Sequence, residues 1–126
     1  MIFAKRVFLI AGIYGLIVLA PQYFLEAKTG ADYPPAITHP EYYYGFIGVA
    51  VAWQFVFFLI SRDPIRFRPV MLAAIVEKAS FGLPAIALYA AGRLRAEMLL
   101  AGLLDVSLGV LFVMAYARTA NVAASS

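Results

Sequence analysis

The sequence contains no cysteine, a single histidine and a single tryptophan, and only 13% of its 126 residues are charged. Without cysteine there is no disulfide framework and no thiolate chemistry or Cys-based metal site. A soluble domain carries about 25% charged residues and about 45–50% apolar ones, whereas here 64% of side chains are hydrophobic. The chain therefore lacks the polar surface of a soluble globule. Long charged runs are missing as well, and the net charge of +3 forms no basic face on which a nucleic acid would lie. What is present is four long apolar blocks, separated by short stretches that hold most of the charge, Pro and Asp. Four bilayer spans of roughly 20 residues each occupy about 80 residues. The remainder suffices only for loops and tails, which predicts one membrane domain over residues 1–126 with no appended soluble catalytic domain.

Local signals bound each span. The first runs from about Val7 to Leu25, after Lys5 and Arg6. It is longer than the apolar core of a signal peptide, and Pro21 makes a poor cleavage context. It reads as an uncleaved transmembrane helix that Pro21 kinks or ends. Residues 26–40, with Gly30, Asp32 and Pro34-Pro35, read as a loop. Thr38 and Glu41 have the spacing of a capping box ahead of a second span, about 42–61. Asp63 and Pro64 suit a helical turn start, and Arg66 to Arg68 then form a short turn before a third span, about 70–91. Gly92 to Arg95 is a tight turn, and the fourth span covers about 97–117. The tail, about 119–126, is small and polar and is expected to be disordered. The fold expected is an all-α antiparallel four-helix membrane bundle.

Charge placement predicts orientation. Lys5, Arg6, Arg62, Arg66, Arg68 and Arg118 fall on one side, and Lys28, Arg93 and Arg95 on the other. The excess marks the cytoplasmic side, so both termini are expected there. Tyr23, Tyr33, Tyr42, Tyr43, Tyr44 and Tyr89 gather at the opposite end, as an interfacial aromatic belt does. Arg62, Arg66 and Arg68 are expected to meet anionic head groups. His39 reads as a helix-start residue, since a metal site needs three or more protein ligands and none accompany it.

Three ionisable residues lie inside the spans: Glu77, Lys78 and Asp105. Such groups cost a few kcal/mol to insert and are functional-site candidates by default. At about 1.5 Å per residue, Glu77 and Lys78 lie roughly 12–14 Å deep and Asp105 roughly 18 Å. Gln54 comes out near 10 Å and Tyr14 near 12 Å by the same count. Every helix thus offers a polar group to one layer. Asp105 shares its face with Ala101, Gly102, Gly109 and Phe112, and Glu77 with Ala73, Ala74, Ser80 and Pro84. Gly12 and Gly15 give the first helix a small-residue face for close approach. Two carboxyls against one ammonium leave an excess negative charge in low dielectric; the expectation is that Lys78 pairs with Asp105 while Glu77 keeps its proton. Alternatives stand beside each assignment. Lys78 can snorkel along its stem to the interface, Glu77 can pair with Arg66, Gln54 can be interhelical glue, and Tyr14 and Trp53 can be packing.

The stretch from His39 to Arg95 (HPEYYYGF…AWQ…SRDPIRFRP…EKASFG…ALYAAGR), with LDVSLGVLFVMAYART after it, resembles small uncharacterised bacterial four-helix membrane proteins. In length, span number and the Gly-Arg turn after the third helix it is similar to the DoxX-like group. Glu77, Asp105 and Trp53-Gln54 give a fainter similarity to the sterol-isomerase and sigma-2-receptor-like four-helix domain, without that family's motif spacing. These resemblances imply the four-helix fold and assign no site. The function expected from the residues is binding of a hydrophobic or amphipathic, lipid-like small molecule at Glu77, Lys78 and Asp105, with Gln54 and Tyr14 as lesser contacts. A proton-coupled transporter acting as a homo-oligomer, or an accessory subunit of a larger membrane complex, are the alternatives. No catalytic constellation and no cofactor are indicated.

Overall fold

Four helices of the computed structural model are long and apolar enough to cross a bilayer, spanning Ile2–Phe24, Pro40–Arg62, Arg68–Ala90 and Ala96–Val122. The model describes residues 1–125, which contain no strand. Helix α1 covers Ile2–Leu19 and passes into a 3-10 turn, Ala20–Phe24. Short α2 follows at Glu26–Asp32, then α3 (Pro40–Arg62), α4 (Arg68–Ala90), α5 (Ala96–Arg118) and a terminal turn of helix, α6 (Ala120–Ser125). At 1.5 Å per residue the 23-residue helices α3, α4 and α5 are about 34 Å long, enough for a hydrocarbon core of about 30 Å. The chain is a multi-pass, all-α membrane bundle.

Several boundaries differ from the sequence reading. Helix α1 starts at Ile2, because Ala4 is 1% exposed and packs into the core while Lys5 and Arg6 project outward from the same turns. Its change to 3-10 geometry falls where Pro21 has no N–H to offer the carbonyl one turn back. The loop expected at 26–40 contains α2, whose Gly30 lies against the backbone of Ala36 and Ile37. No capping box forms at Thr38. Pro40 occupies the first helical position, His39 becomes the N-cap, and Glu41 faces His39 Nδ1 at 3.3 Å instead. Asp63 Oδ1 accepts the Arg66 backbone N–H at 3.2 Å, closing the turn before α4. At the far end of α4, Gly92 adopts φ +74°. The Arg93 and Gly92 amides return to the carbonyls of Leu88 and Tyr89 at 2.8 and 3.0 Å, a Schellman ending that favours glycine.

The expected disordered tail is ordered at its start. Thr119 is fully buried and residues 120–125 are helical; residue 126 lies outside the described residues. The cause is Arg68, whose guanidinium donates to the Tyr116 carbonyl at 2.8 Å and to Thr119 Oγ1 at 3.1 Å while stacking 3.7 Å over the Tyr116 ring. Arg68 thus ties α4 to the end of α5.

Each long helix packs on two neighbours: α1 on α3 and α5, and α4 on α5 and, sparsely, α3. Small residues set the close seams. A methyl at Gly12 would strike the Phe58 ring, and one at Gly102 would strike Ala85. The apolar core occupies the end nearer the N-terminus. There the rings of Phe8, Phe57 and Phe112, all fully buried, meet with centroids 4.2, 5.1 and 6.1 Å apart. Large side chains such as Ile10, Val49, Val76 and Leu100 face outward, as lipid-facing positions do.

Candidate functional site

Above the Phe8–Phe57–Phe112 core the packing loosens into a cavity of about 180 Å³. Tyr14 reaches it from α1, Gln54 from α3, Glu77 and Lys78 from α4, and Asp105 from α5. All five residues singled out in the sequence line this one space. They are brought together by depth and by face: Gly15 lets α3 approach α1 closely enough that the Gln54 amide fills the position of a Cβ. Gly109 similarly leaves room for the Lys78 stem, whose Cβ would lie 3.3 Å from a methyl placed there.

Lys78 is the centre of the cluster. It is 4% exposed, and its Nζ lies 3.4 Å from Asp105 Oδ1 and 3.6 Å from Glu77 Oε2. The first is a long hydrogen bond and the second an ionic contact beyond hydrogen-bond range. The ammonium also stands 5.2 Å above the Phe57 ring centre, within cation–π distance. Lys78 therefore turns inward, and snorkelling to the interface is excluded. Pairing of Glu77 with Arg66 is excluded too, since Glu77 faces Lys78 and the Arg66 guanidinium lies 5.3 Å from the Phe67 ring.

Hydrogen bonding in the cluster is incomplete. Gln54 is 2% exposed, and its Nε2 donates to the Ala50 carbonyl at 2.8 Å. Its Oε1 and Glu77 Oε2 are buried with no hydrogen-bond partner among the described residues. Buried polar groups are nearly always satisfied, so these two atoms mark the cavity as unusual. The Ser80 hydroxyl donates to the Glu77 carbonyl at 2.7 Å.

Sequence reasoning did not find the remaining wall. Phe57 backs Lys78, with its ring centre 5.2 Å from the ammonium, and Met98 and Gln22 line the cavity toward the end opposite the N-terminus. A signal existed for both Phe57 and Met98. Phe57 is three residues from Gln54, and Met98 is seven before Asp105, spacings that share a helical face. Trp53 lies outside the cavity, on a groove between α3 and α4.

No protein-family model, curated protein or solved structure matches the chain.

Proposed function

We propose that the chain is a bacterial inner-membrane protein, with both termini in the cytoplasm, that binds an amphipathic, lipid-like small molecule in the cavity formed by Tyr14, Gln54, Glu77, Lys78 and Asp105. The observation that carries this reading is the convergence of polar groups from all four long helices on one space whose floor is closed. Gln54 and Lys78 also pack against Gly15 and Gly109, but that packing uses their stems and bulk and does not call for charged ends. Each ionisable group in a span costs a few kcal/mol, and that cost is offset here only in part, because Gln54 Oε1 and Glu77 Oε2 lack hydrogen-bond partners among the described residues. A ligand that completes the cluster explains its retention.

Binding is favoured over transport through a single chain. The fully buried Phe8, Phe57 and Phe112 seal the cavity from the N-terminal side and leave no continuous polar path. The excess of Lys and Arg at that end supports its cytoplasmic placement.

Native mass spectrometry of the purified protein tests the reading. A stoichiometric adduct is expected in the wild type and is lost in Asp105→Asn and Glu77→Gln while circular dichroism stays unchanged. An adduct retained by both variants, or proton flux in liposomes abolished by Glu77→Gln, speaks against passive binding at this site.

A further inference from the structure

Two acceptors at the cavity, Gln54 Oε1 and Glu77 Oε2, are buried without a hydrogen-bond partner among the described residues. Glu77 and Asp105 bring two carboxyl oxygens each and Gln54 an amide oxygen. On the donor side, Lys78 is already shared between the two carboxyls, Gln54 Nε2 is engaged with the Ala50 carbonyl, and the Tyr14 hydroxyl lines the cavity without bonding either free acceptor. A buried acceptor without a partner costs about 1–3 kcal/mol. The polar group that relieves this imbalance is one that donates.

The cavity shares walls with a neighbouring groove. Phe46, Ala50, Glu77 and Phe81 line both the cavity and this groove of about 540 Å³ between α3 and α4. This groove is otherwise lined mainly by apolar Val49, Trp53, Ala73 and Val76. Val49, Ala73 and Val76 are exposed at the lipid-facing surface, and α3 and α4 are the neighbouring long helices that touch least. A hydrocarbon chain lying there stays within the bilayer while its polar end reaches Glu77.

We infer that the occupant is a single-chain amphiphile whose head donates a hydrogen bond, held with its head in the cavity and its tail passing sideways between α3 and α4 into the membrane. This rests on the binding function proposed above.

Trp53, the only tryptophan in the chain, borders the groove and reports on it. With the full chain in phosphatidylcholine nanodiscs, dodecanol should change Trp53 emission saturably. Dodecyl methyl ether, which lacks the donor, and laurate, whose ionised head only accepts, should require at least tenfold higher concentrations. Ala73→Phe, which adds bulk to the exposed wall of the groove, should weaken the dodecanol response at least tenfold. Ile10→Phe, on the outer face of α1, should leave it unchanged. Both substitutions are at exposed positions outside the core, and circular dichroism confirms that each variant is folded. An ether as effective as the alcohol, or laurate more effective than either, overturns the donor requirement. Equal loss in Ile10→Phe and Ala73→Phe overturns the lateral exit. In those cases saturable binding, and with it the proposed function, survives; if no probe saturates the wild type, both fall.

Discussion

Replacing Lys78 with Met keeps the unbranched apolar stem and removes the ammonium. The structure makes this the most damaging change in the cluster. Lys78 is 4% exposed and is the counter-charge to both carboxyls, with Asp105 at 3.4 Å and Glu77 at 3.6 Å. Removing one partner of a buried ion pair costs about 3–5 kcal/mol. The carboxyl side chains keep 18% and 19% exposure, which favours the lower end, about 3 kcal/mol. Asp105→Leu is different, because Lys78 then retains Glu77. It forfeits one long interhelical hydrogen bond, a contact that averages about 0.6 kcal/mol in membrane bundles, so about 1 kcal/mol is expected. The gap of about 2 kcal/mol corresponds to roughly 30-fold in the unfolding equilibrium. In the double variant Lys78→Met/Asp105→Leu only Glu77 is stranded. Its cost should fall short of the sum of the two singles by about 1 kcal/mol, within the range for residues in contact. Reversible unfolding in mixed micelles by added dodecyl sulfate, followed by circular dichroism and Trp53 emission, measures all three. If Asp105→Leu costs as much as Lys78→Met, or if the two singles simply add, Lys78 is not the shared counter-charge and the reasoning fails.

Other perturbations probe separate links. Gly15→Ala places a methyl where the Gln54 amide lies and should destabilise by about 1–3 kcal/mol, as overpacking does; most of this should return in Gly15→Ala/Gln54→Ala, measured by the same unfolding. Arg68→Lys keeps the charge but not the fork that reaches both the Tyr116 carbonyl and Thr119 Oγ1, since Lys cannot bond bidentately. A loss of about 1–2 kcal/mol is expected, with faster amide hydrogen exchange at Tyr116 to Thr119. Outside the spans, the hydrogen bond from Lys28 to Asp32 at 2.7 Å, aided by the carboxylate's charge, raises the Lys28 pKa above its ordinary value. A raised folded-state value means the contribution is present at neutral pH and is lost as pH rises through the lysine range. An NMR titration should show Asp32→Asn returning Lys28 toward ordinary behaviour, with little change in neutral-pH unfolding, as for exposed pairs.

The architecture was legible because hydropathy and punctuation agree. Pro21, Asp63-Pro64 and Gly92 each fall at a real change of geometry, and the spans drawn from about 42–61, 70–91 and 97–117 lie within observed helices to one or two residues. The misplacements have tertiary causes. Helix α1 extends back to Ile2 because Ala4 is buried by partners that local composition does not name. Helix α2 was missed because Gly30 reads as a breaker, whereas its missing side chain is what lets Ala36 and Ile37 pack there. The tail reads as disordered because nothing local shows that Arg68, 51 residues earlier in the chain, holds Thr119. At the cavity, counting depth was enough to place Tyr14, Gln54, Glu77, Lys78 and Asp105 in one layer. The direction Lys78 takes was not legible. Inward and snorkelling rotamers suit the same sequence, and only the positions of Asp105 and Phe57 decide between them.

The way the helices meet explains why the polar cluster is tolerated and why its opening lies where it does. The α1–α3 and α4–α5 seams use glycine, so backbones approach closely and dispersion is gained along their length. The α1–α5 seam is closed by the stacked rings of Phe8 and Phe112. The α3–α4 seam has neither device along its cavity half. Phe46, Trp53 and Phe81 flank it, and α3 and α4 touch only sparsely. A bundle selected only for stability would place its polar groups away from such a gap, since desolvated carboxyls gain nothing from adjacent lipid. Here Glu77 sits on the boundary between gap and cavity, while Lys78 and the phenylalanine core behind it supply the counter-charge and the rigid floor. Closing the α3–α4 seam with small residues would therefore be expected to raise the unfolding free energy while removing access to Glu77. Stability and binding should move in opposite directions at this seam.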